Sequence, residues 1–392
     1  MHTIFRVGEI KQTVDNKRLW EVQLSITNDD DPQLAILTDR IKEEVQGSNG
    51  WFRMGKLMIK VGHFNQAEAF HNELLKNASS DIERAYIYHQ LGRVKDNQGK
   101  YQEAVAFHEK SIEVREKSLP PNHPDLAESY NNIGMVYNHM SDYVKALKFY
   151  EKSIQIRKIC LPPNHSDLAE SYNNIGLVYS NMGEYSKALE FYEKSIKIKK
   201  ISLPPNHPDL ATSYGNMGIV YYKMGDYSAA LKVFEQDLEI KKKTLPPAHS
   251  SLATAYTNIG VAYNSMGNYS KALEFYEKAL KIREKALSPN HPDIADSYSF
   301  IAGVYKHMGD YSKALKFHEK SMQIRKISLP PNHFDLAESY NSIGLLYNTM
   351  GDYSKAIPLL EKALAIFQNS LPPTHPNIKV MMHNIQVAKN NL

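Results

Sequence analysis

Residues His123–Asn164 read HPDLAESYNNIGMVYNHMSDYVKALKFYEKSIQIRKICLPPN and form one unit of a repeated pattern. Its central tyrosine, Tyr130, recurs every 42 residues as Tyr172, Tyr214, Tyr256, Tyr298 and Tyr340. A fixed period of this length is typical of an array built from one supersecondary unit. We call these residues the marker tyrosines and number positions within each repeat from them.

Each unit predicts two antiparallel helices. Leu126, Tyr130 and Ile133 lie on one apolar stripe at helical spacing, and Tyr143 and Tyr150 belong to a second stripe. Proline suits the first turn of a helix and cannot continue one, so the prolines that flank the unit mark its ends.

Small residues recur where the two helices must approach each other. Gly134 lies inside the first helix, and Ala146 lies in the second. A glycine inside a helix costs about 1 kcal/mol relative to alanine, so its recurrence indicates close packing. Most repeats also have glycine between the helices, where a left-handed residue is expected, whereas this repeat has Ser141.

The pattern Ile133-Gly134, Tyr137, Ser141-x-Tyr143, Ala146 and Tyr150 resembles the tetratricopeptide repeat. The usual repeat has about 34 residues, and an L-P-P-N-H-P-type extension lengthens this one to 42. This longer form, with Asn131-Asn132 in the first helix, is similar to the kinesin-light-chain type of repeat. The resemblance implies an all-α fold, a right-handed superhelical solenoid whose first helices line a concave groove.

The chain outside the regular repeats predicts further segments. Residues 1–28 combine two β-rich stretches with a polar turn and predict a small β-hairpin. We expect a linker helix over 29–50, eight helical-pair repeats over 51–375 and a C-terminal capping helix over 376–392. In the capping helix, Ile378, Met382 and Ile385 are expected to face the array.

Residues 1–28 also resemble the C-terminal end of an arginine-specific ADP-ribosyltransferase domain. The catalytic motifs of that family would precede Met1, and none occurs in this sequence. The resemblance implies an alternative function, a C-terminal repeat tail that recruits substrates, while an unrelated hairpin also remains open. A kinesin light chain is less favoured, because residues 32–46 are too short for its long heptad segment.

Composition and motifs restrict the function further. The net charge of +4 is too small to indicate nucleic-acid binding, and Cys160 is the sole cysteine. No signal peptide or long apolar run is visible, so we expect a cytoplasmic chain without a membrane partner. No phosphate loop, Cys/His cluster or nucleophile setting appears. We therefore expect no enzymatic activity, no cofactor and no metal, and we interpret the histidine before each first helix, such as His123, as a linker residue.

The groove positions lie two residues before the marker tyrosine and one, two, five, eight and nine after it. Asparagines dominate them, and an asparagine amide can bond both the N–H and the C=O of a peptide. Acids stand where bases would clamp a terminal carboxylate, which favours a neutral or basic internal segment. The sequence thus predicts a protein–protein interaction scaffold that binds an extended or short helical peptide. The predicted groove residues are Glu128, Asn131, Asn132, Asn138, Glu170, Asn173, Asn174, Asn216, Tyr222, Asn258, Phe300 and Asn341.

Overall fold

The computed structural model describes residues 4–12, 20–27, 50–372 and 375–392. From Gly50 onward the described chain is helical, and in chain order the first helix of each repeat, the A helix, alternates with the second, the B helix. The A helices are α1 Gly50–Lys60, α3 Asp81–Asn97, α5 Pro124–His139, α7 Ser166–Asn181, α9 Pro208–Lys223, α11 Ser250–Ser265, α13 Pro292–His307 and α15 Phe334–Thr349. The B helices are α2 Phe64–Lys76, α4 Tyr101–Ser118, α6 Tyr143–Cys160, α8 Tyr185–Ser202, α10 Tyr227–Thr244, α12 Tyr269–Ala286, α14 Tyr311–Ser328 and α16 Tyr353–Ser370. Helix α17, Pro376–Asn390, follows them.

The histidine before each A helix from α5 onward caps that helix. Nδ1 of His123 accepts a hydrogen bond from the backbone N–H of Asp125 at 3.2 Å, which satisfies one of the N–H groups that a helix start leaves unpaired. The linker role of these histidines therefore takes the form of an N-cap. The same bond recurs at His165, His207, His249, His291, His333 and His375.

The turn between an A helix and its B helix needs a left-handed residue. Gly183 has φ +80°, and the equivalent glycines of other repeats have similar values. Ser141 adopts φ 59° at the same position. The left-handed conformation costs a non-glycine residue about 1–2 kcal/mol, so this turn is strained.

The two helices of a pair pack most closely at the recurring glycine. A Cβ atom placed on Gly134 would lie 3.1 Å from the Tyr150 ring and 3.3 Å from the backbone oxygen of Ala146. The close approach predicted at Gly134 and Ala146 is therefore confirmed. Apolar residues of both helices, among them Leu126 and Ile133, are buried around this contact.

Two strands precede the helices, β1 Ile4–Gln12 and β2 Trp20–Thr27. They pair antiparallel, with Ile4 opposite Thr27 and an irregularity between Val7 and Ile10. The hairpin predicted for residues 1–28 stays a prediction, since its turn lies outside the described residues. Apart from Gly50, the linker helix predicted for 29–50 also lies outside them.

The chain divides into two compact units. The first ends at Met224 and also takes in residues 243–245, and the second contains 225–242 and the chain from Pro246 onward.

Helix α17 closes the second unit and corrects one expectation. Ile378, Met381 and Ile385 are buried against the preceding helices, whereas Met382 is 56% exposed. The buried face thus follows the spacing i, i+3, i+7, and the expectation that Met382 faces the array is wrong.

Candidate functional site

The candidate site is one side of the A helices, which we call the A-helix face. It consists of positions −2, +1, +2, +5, +8 and +9 relative to the marker tyrosine, which share one side of a helix at helical spacing. In the first unit, α7 contacts both α5 and α9, so that their faces adjoin. In the second unit, a hydrogen bond of 3.1 Å between His307 and Asn264 joins α13 to α11.

Position +5 forms an apolar row in the first unit. Leu177 of α7 is 37% exposed and Ile219 of α9 is 40% exposed, whereas Met135 of α5 is half-buried. Other apolar residues of the same helices, such as Ile175, are buried in the core. Leu177 and Ile219 are thus apolar surface that packing within the chain leaves exposed.

Position +1 and position +8 of α5 are not exposed. Asn131 and Asn138 are only 3% and 7% exposed. Their side-chain oxygens accept hydrogen bonds from the next A helix, Asn131 from Asn174 at 3.3 Å and Asn138 from Asn181 at 3.1 Å. These two predicted groove residues therefore connect neighbouring helices, and their burial removes them from the surface that a partner could touch.

The remaining predicted asparagines of the first unit are half-buried. The amide of Asn132 bonds Nε2 of the buried His89 at 3.0 Å, and Asn173 accepts from the hydroxyl of Ser213 at 3.2 Å. The bond from Asn174 to Asn131 uses one of its two N–H groups. Half-buried Asn216 and Tyr222 lie on the same face of α9.

Glu128 and Glu170 occupy position −2 but differ in their surroundings. Oε1 of Glu128 lies 3.4 Å from Nε2 of His89, and although desolvation raises the pKa of Glu128, the contact with His89 and the positive charges of Arg115 and Arg93 hold it well below its usual range. The Glu170 side chain is 56% exposed, and its Oε2 lies 3.6 Å from Nη2 of Arg157. Its carboxylate is therefore accessible to an added cation.

The predicted residues of the second unit are more scattered. Asn258 and Asn341 are half-buried on α11 and α15. Phe300 of α13 is 38% exposed, and its ring stacks on the buried Tyr276 ring at a centroid distance of 5.3 Å. The second unit therefore offers a fixed aromatic surface where the first unit has asparagines at position +2.

A buried or partly buried cation links five of the B helices, α4, α6, α8, α12 and α14, to the next A helix, and the sequence alone did not predict this role. Nη1 of Arg157 donates to the backbone oxygen of Asp167 and to the hydroxyl of Ser171, both at 2.6 Å. Arg115, Lys199 and Arg325 make the same pair of bonds, and Arg283 makes the bond to serine. The sequence does contain a signal for this contact, because a basic residue recurs every 42 residues, and in these five cases it lies 14 residues before a serine.

One repeat satisfies this cation differently. At the equivalent of Ser171 the chain has Ala255, and Lys241 instead bonds Asp237 at 2.8 Å within its own helix. Asp237 is completely buried, and burial raises its pKa while Lys241 opposes that rise. A carboxylate thus replaces the missing hydroxyl, because a buried cation needs a partner.

Three histidines are buried at the start of the first unit, namely His71, His89 and His108. Nδ1 of His71 bonds the backbone oxygen of Ala67 at 2.7 Å, and the His89 and His108 rings meet edge to face at 5.3 Å. Burial lowers the pKa of each of them, and that of His71 to about 4. All three are neutral at pH 7 and pack as core residues.

The described residues contain no group of three or more histidine, cysteine, aspartate or glutamate side chains that could hold a metal ion. None of their helices combines the length and the apolar character that crossing a membrane requires.

The tetratricopeptide repeat model matches residues 83–159, 125–201, 167–243, 251–327, 293–369 and 335–385. These ranges cover more than half of the sequence, and the chain belongs to the tetratricopeptide repeat family. Among curated proteins, none matches the chain.

Solved structures share the fold. The quorum sensor NprR of B. thuringiensis, in its apo form, is 15% identical with a TM-score of 0.61, over 86% of this chain and 93% of its own. Apo RapI is 17% identical with a TM-score of 0.60, over 90% and 97%. The tetratricopeptide-like repeats of a putative kinesin light chain from Podosopora anserina are 24% identical, over 53% of this chain and 98% of their own, with a TM-score of 0.46. Identities this low show the fold alone.

Proposed function

We propose that this chain is a protein–protein interaction scaffold that binds an extended or short helical segment of a partner along its A-helix face. The observation that carries the proposal is the exposed apolar row at Leu177 and Ile219. Exposed apolar residues aligned on neighbouring helices are surface that binding can bury. The chain acts in this proposal by holding a partner, without catalysis.

The polar residues beside the apolar row determine which chemical groups of the partner segment can bind there. Half-buried Asn174 and Asn216 lie at position +2 of the same helices and can bond a peptide main chain. Glu170, at position −2, is more than half exposed and can pair with a basic side chain of the segment. A neutral or basic internal segment with apolar side chains fits this surface.

The test uses a displayed library of random peptides selected on the full chain, followed by titration of the enriched synthetic peptides. Leu177→Ser with Ile219→Ser removes the apolar row and should weaken binding about tenfold or more, which corresponds to about 1.4 kcal/mol. The matched control is Ile159→Ser with Ile201→Ser, since these B-helix residues are also exposed. The proposal is wrong if no peptide is enriched or if the control pair weakens binding as much.

A further inference from the structure

Position +5 of the regular A helices is a large apolar residue except in one helix of the second unit. The residue there is Val261 in α11 and Leu345 in α15, but Gly303 in α13. Helix α13 also departs from the pattern at position +2, where Phe300 replaces the asparagine found at Asn258. Both departures lie on the A-helix face of one helix.

Packing within the chain does not explain Gly303. Apart from its two chain neighbours and the nearby backbone of its own helix, no heavy atom of the described residues would come within 4 Å of a Cβ atom placed on it, whereas at Gly260 such an atom would lie 2.6 Å from the Tyr276 ring. The close-packed position of α13 is held by Ala302, which is completely buried. Since a helix-interior glycine costs about 1 kcal/mol relative to alanine, Gly303 leaves an open space at a cost in stability.

Phe300 gives this space a fixed aromatic border. It lies one turn before Gly303 on the same face, and its stacking on Tyr276 at 5.3 Å holds the ring in place. We call the space over Gly303, together with Phe300, the Gly303 notch. Two charged residues of the same helix flank the notch: Asp296, one turn before Phe300, accepts from Arg325 at 2.6 Å, and Lys306, one turn after Gly303, is exposed.

We infer that the Gly303 notch is a subsite for one large apolar side chain, aliphatic or aromatic, of the bound protein segment. The inference rests on the proposed function and deepens it. In α11 and α15 the chain itself supplies an apolar side chain at this position, and in α13 the partner supplies it. An apolar occupant fits this space because its border is the Phe300 ring, which is held by stacking on Tyr276.

The decisive variant fills the notch without harming the helix. Gly303→Leu restores the residue type that α15 carries at this position, and leucine is the better helix former, so the variant folds. Gly303→Ala is the smaller step in the same direction. Each is titrated with the peptides enriched on the wild-type chain and with derivatives whose large apolar residues are replaced by alanine, one at a time.

Gly303→Leu should weaken the enriched peptides about tenfold, with Gly303→Ala in between. The effect should vanish for one alanine derivative, the one that lacks the occupant of the notch. Unchanged affinity in Gly303→Leu, together with weakened binding in Leu177→Ser with Ile219→Ser, would overturn the subsite and leave the scaffold standing. An equal loss for every alanine derivative would also overturn the subsite, and failure to enrich any peptide would overturn both.

Discussion

The same glycine-to-alanine substitution should stabilise one A helix and fail to stabilise its neighbour. Gly260→Ala and Gly303→Ala each replace a helix-interior glycine of the second unit, and each gains about 1 kcal/mol of helix propensity. At Gly303 the new Cβ atom meets no described atom within 4 Å. We therefore expect Gly303→Ala to stabilise the second unit by about that amount.

Gly260→Ala must also displace the Tyr276 ring. The new Cβ atom would lie 2.6 Å from Cε1 and 2.7 Å from Cδ1, and Tyr276 is only 2% exposed, so the ring has little room to move. Overpacking of this kind costs about 1–3 kcal/mol. The net expectation ranges from no change to a loss of about 2 kcal/mol.

The difference between the two variants isolates the steric cost, because the propensity gain cancels. Unfolding in denaturant would be followed by circular dichroism on the full chain. Hydrogen exchange of the α11 and α13 amides assigns the change to these helices, since repeat arrays open in segments. If Gly260→Ala is as stable as Gly303→Ala, the close approach of α11 and α12 does not restrict residue size, and the reasoning fails.

Two further predictions concern buried charged and titratable groups. His71 has a pKa of about 4 in the folded chain, below the value of about 6.5 in an unfolded chain, so its stability contribution is present above pH 6.5 and is lost as the pH falls towards 4. We expect about 2 kcal/mol to be lost between pH 8 and pH 5, and a His71→Gln variant should show a flatter dependence of unfolding free energy on pH; an equally steep dependence would contradict this. Asp237→Ser should cost about 1–3 kcal/mol, because it leaves the partly buried Lys241 without its carboxylate partner. Adding Ala255→Ser should recover at least about 1 kcal/mol by rebuilding the hydroxyl acceptor of the other repeats. If the double variant is no more stable than Asp237→Ser, the Asp237 carboxylate does not take the place of the missing serine hydroxyl.

Local chemistry made much of the fold predictable. The 42-residue period identified the repeat, and the residues that end helices or allow close packing act within one unit, as Gly134 and Ser141 show. Their effects depend on backbone conformation and on contacts within one helix pair. Such effects can be derived from a single repeat.

The contacts between repeats could not be derived in this way. From the sequence alone, Arg157 is only a favourable charge in the last turn of α6, whereas in the structure it also bonds Ser171 of the next A helix at 2.6 Å. Which neighbour satisfies a polar group depends on how successive helices are offset. The bonds between A helices join residues that are 43 apart in the sequence. The repeat period of 42 relates equivalent positions and does not predict this offset of one residue.

The asparagines show what this offset changes in the functional argument. Asparagine is only a fair helix former, so its recurrence suggested a function. At Asn131 and Asn138 that function is to bond the next A helix and so to hold the array together. Asn174→Ala would leave the buried oxygen of Asn131 without its donor, at about 1–3 kcal/mol, so this substitution is expected to destabilise the fold. A loss of binding in that variant would mix folding with recognition. The exposed residues Leu177 and Ile219 lack this ambiguity, and the case for the A-helix face rests on them.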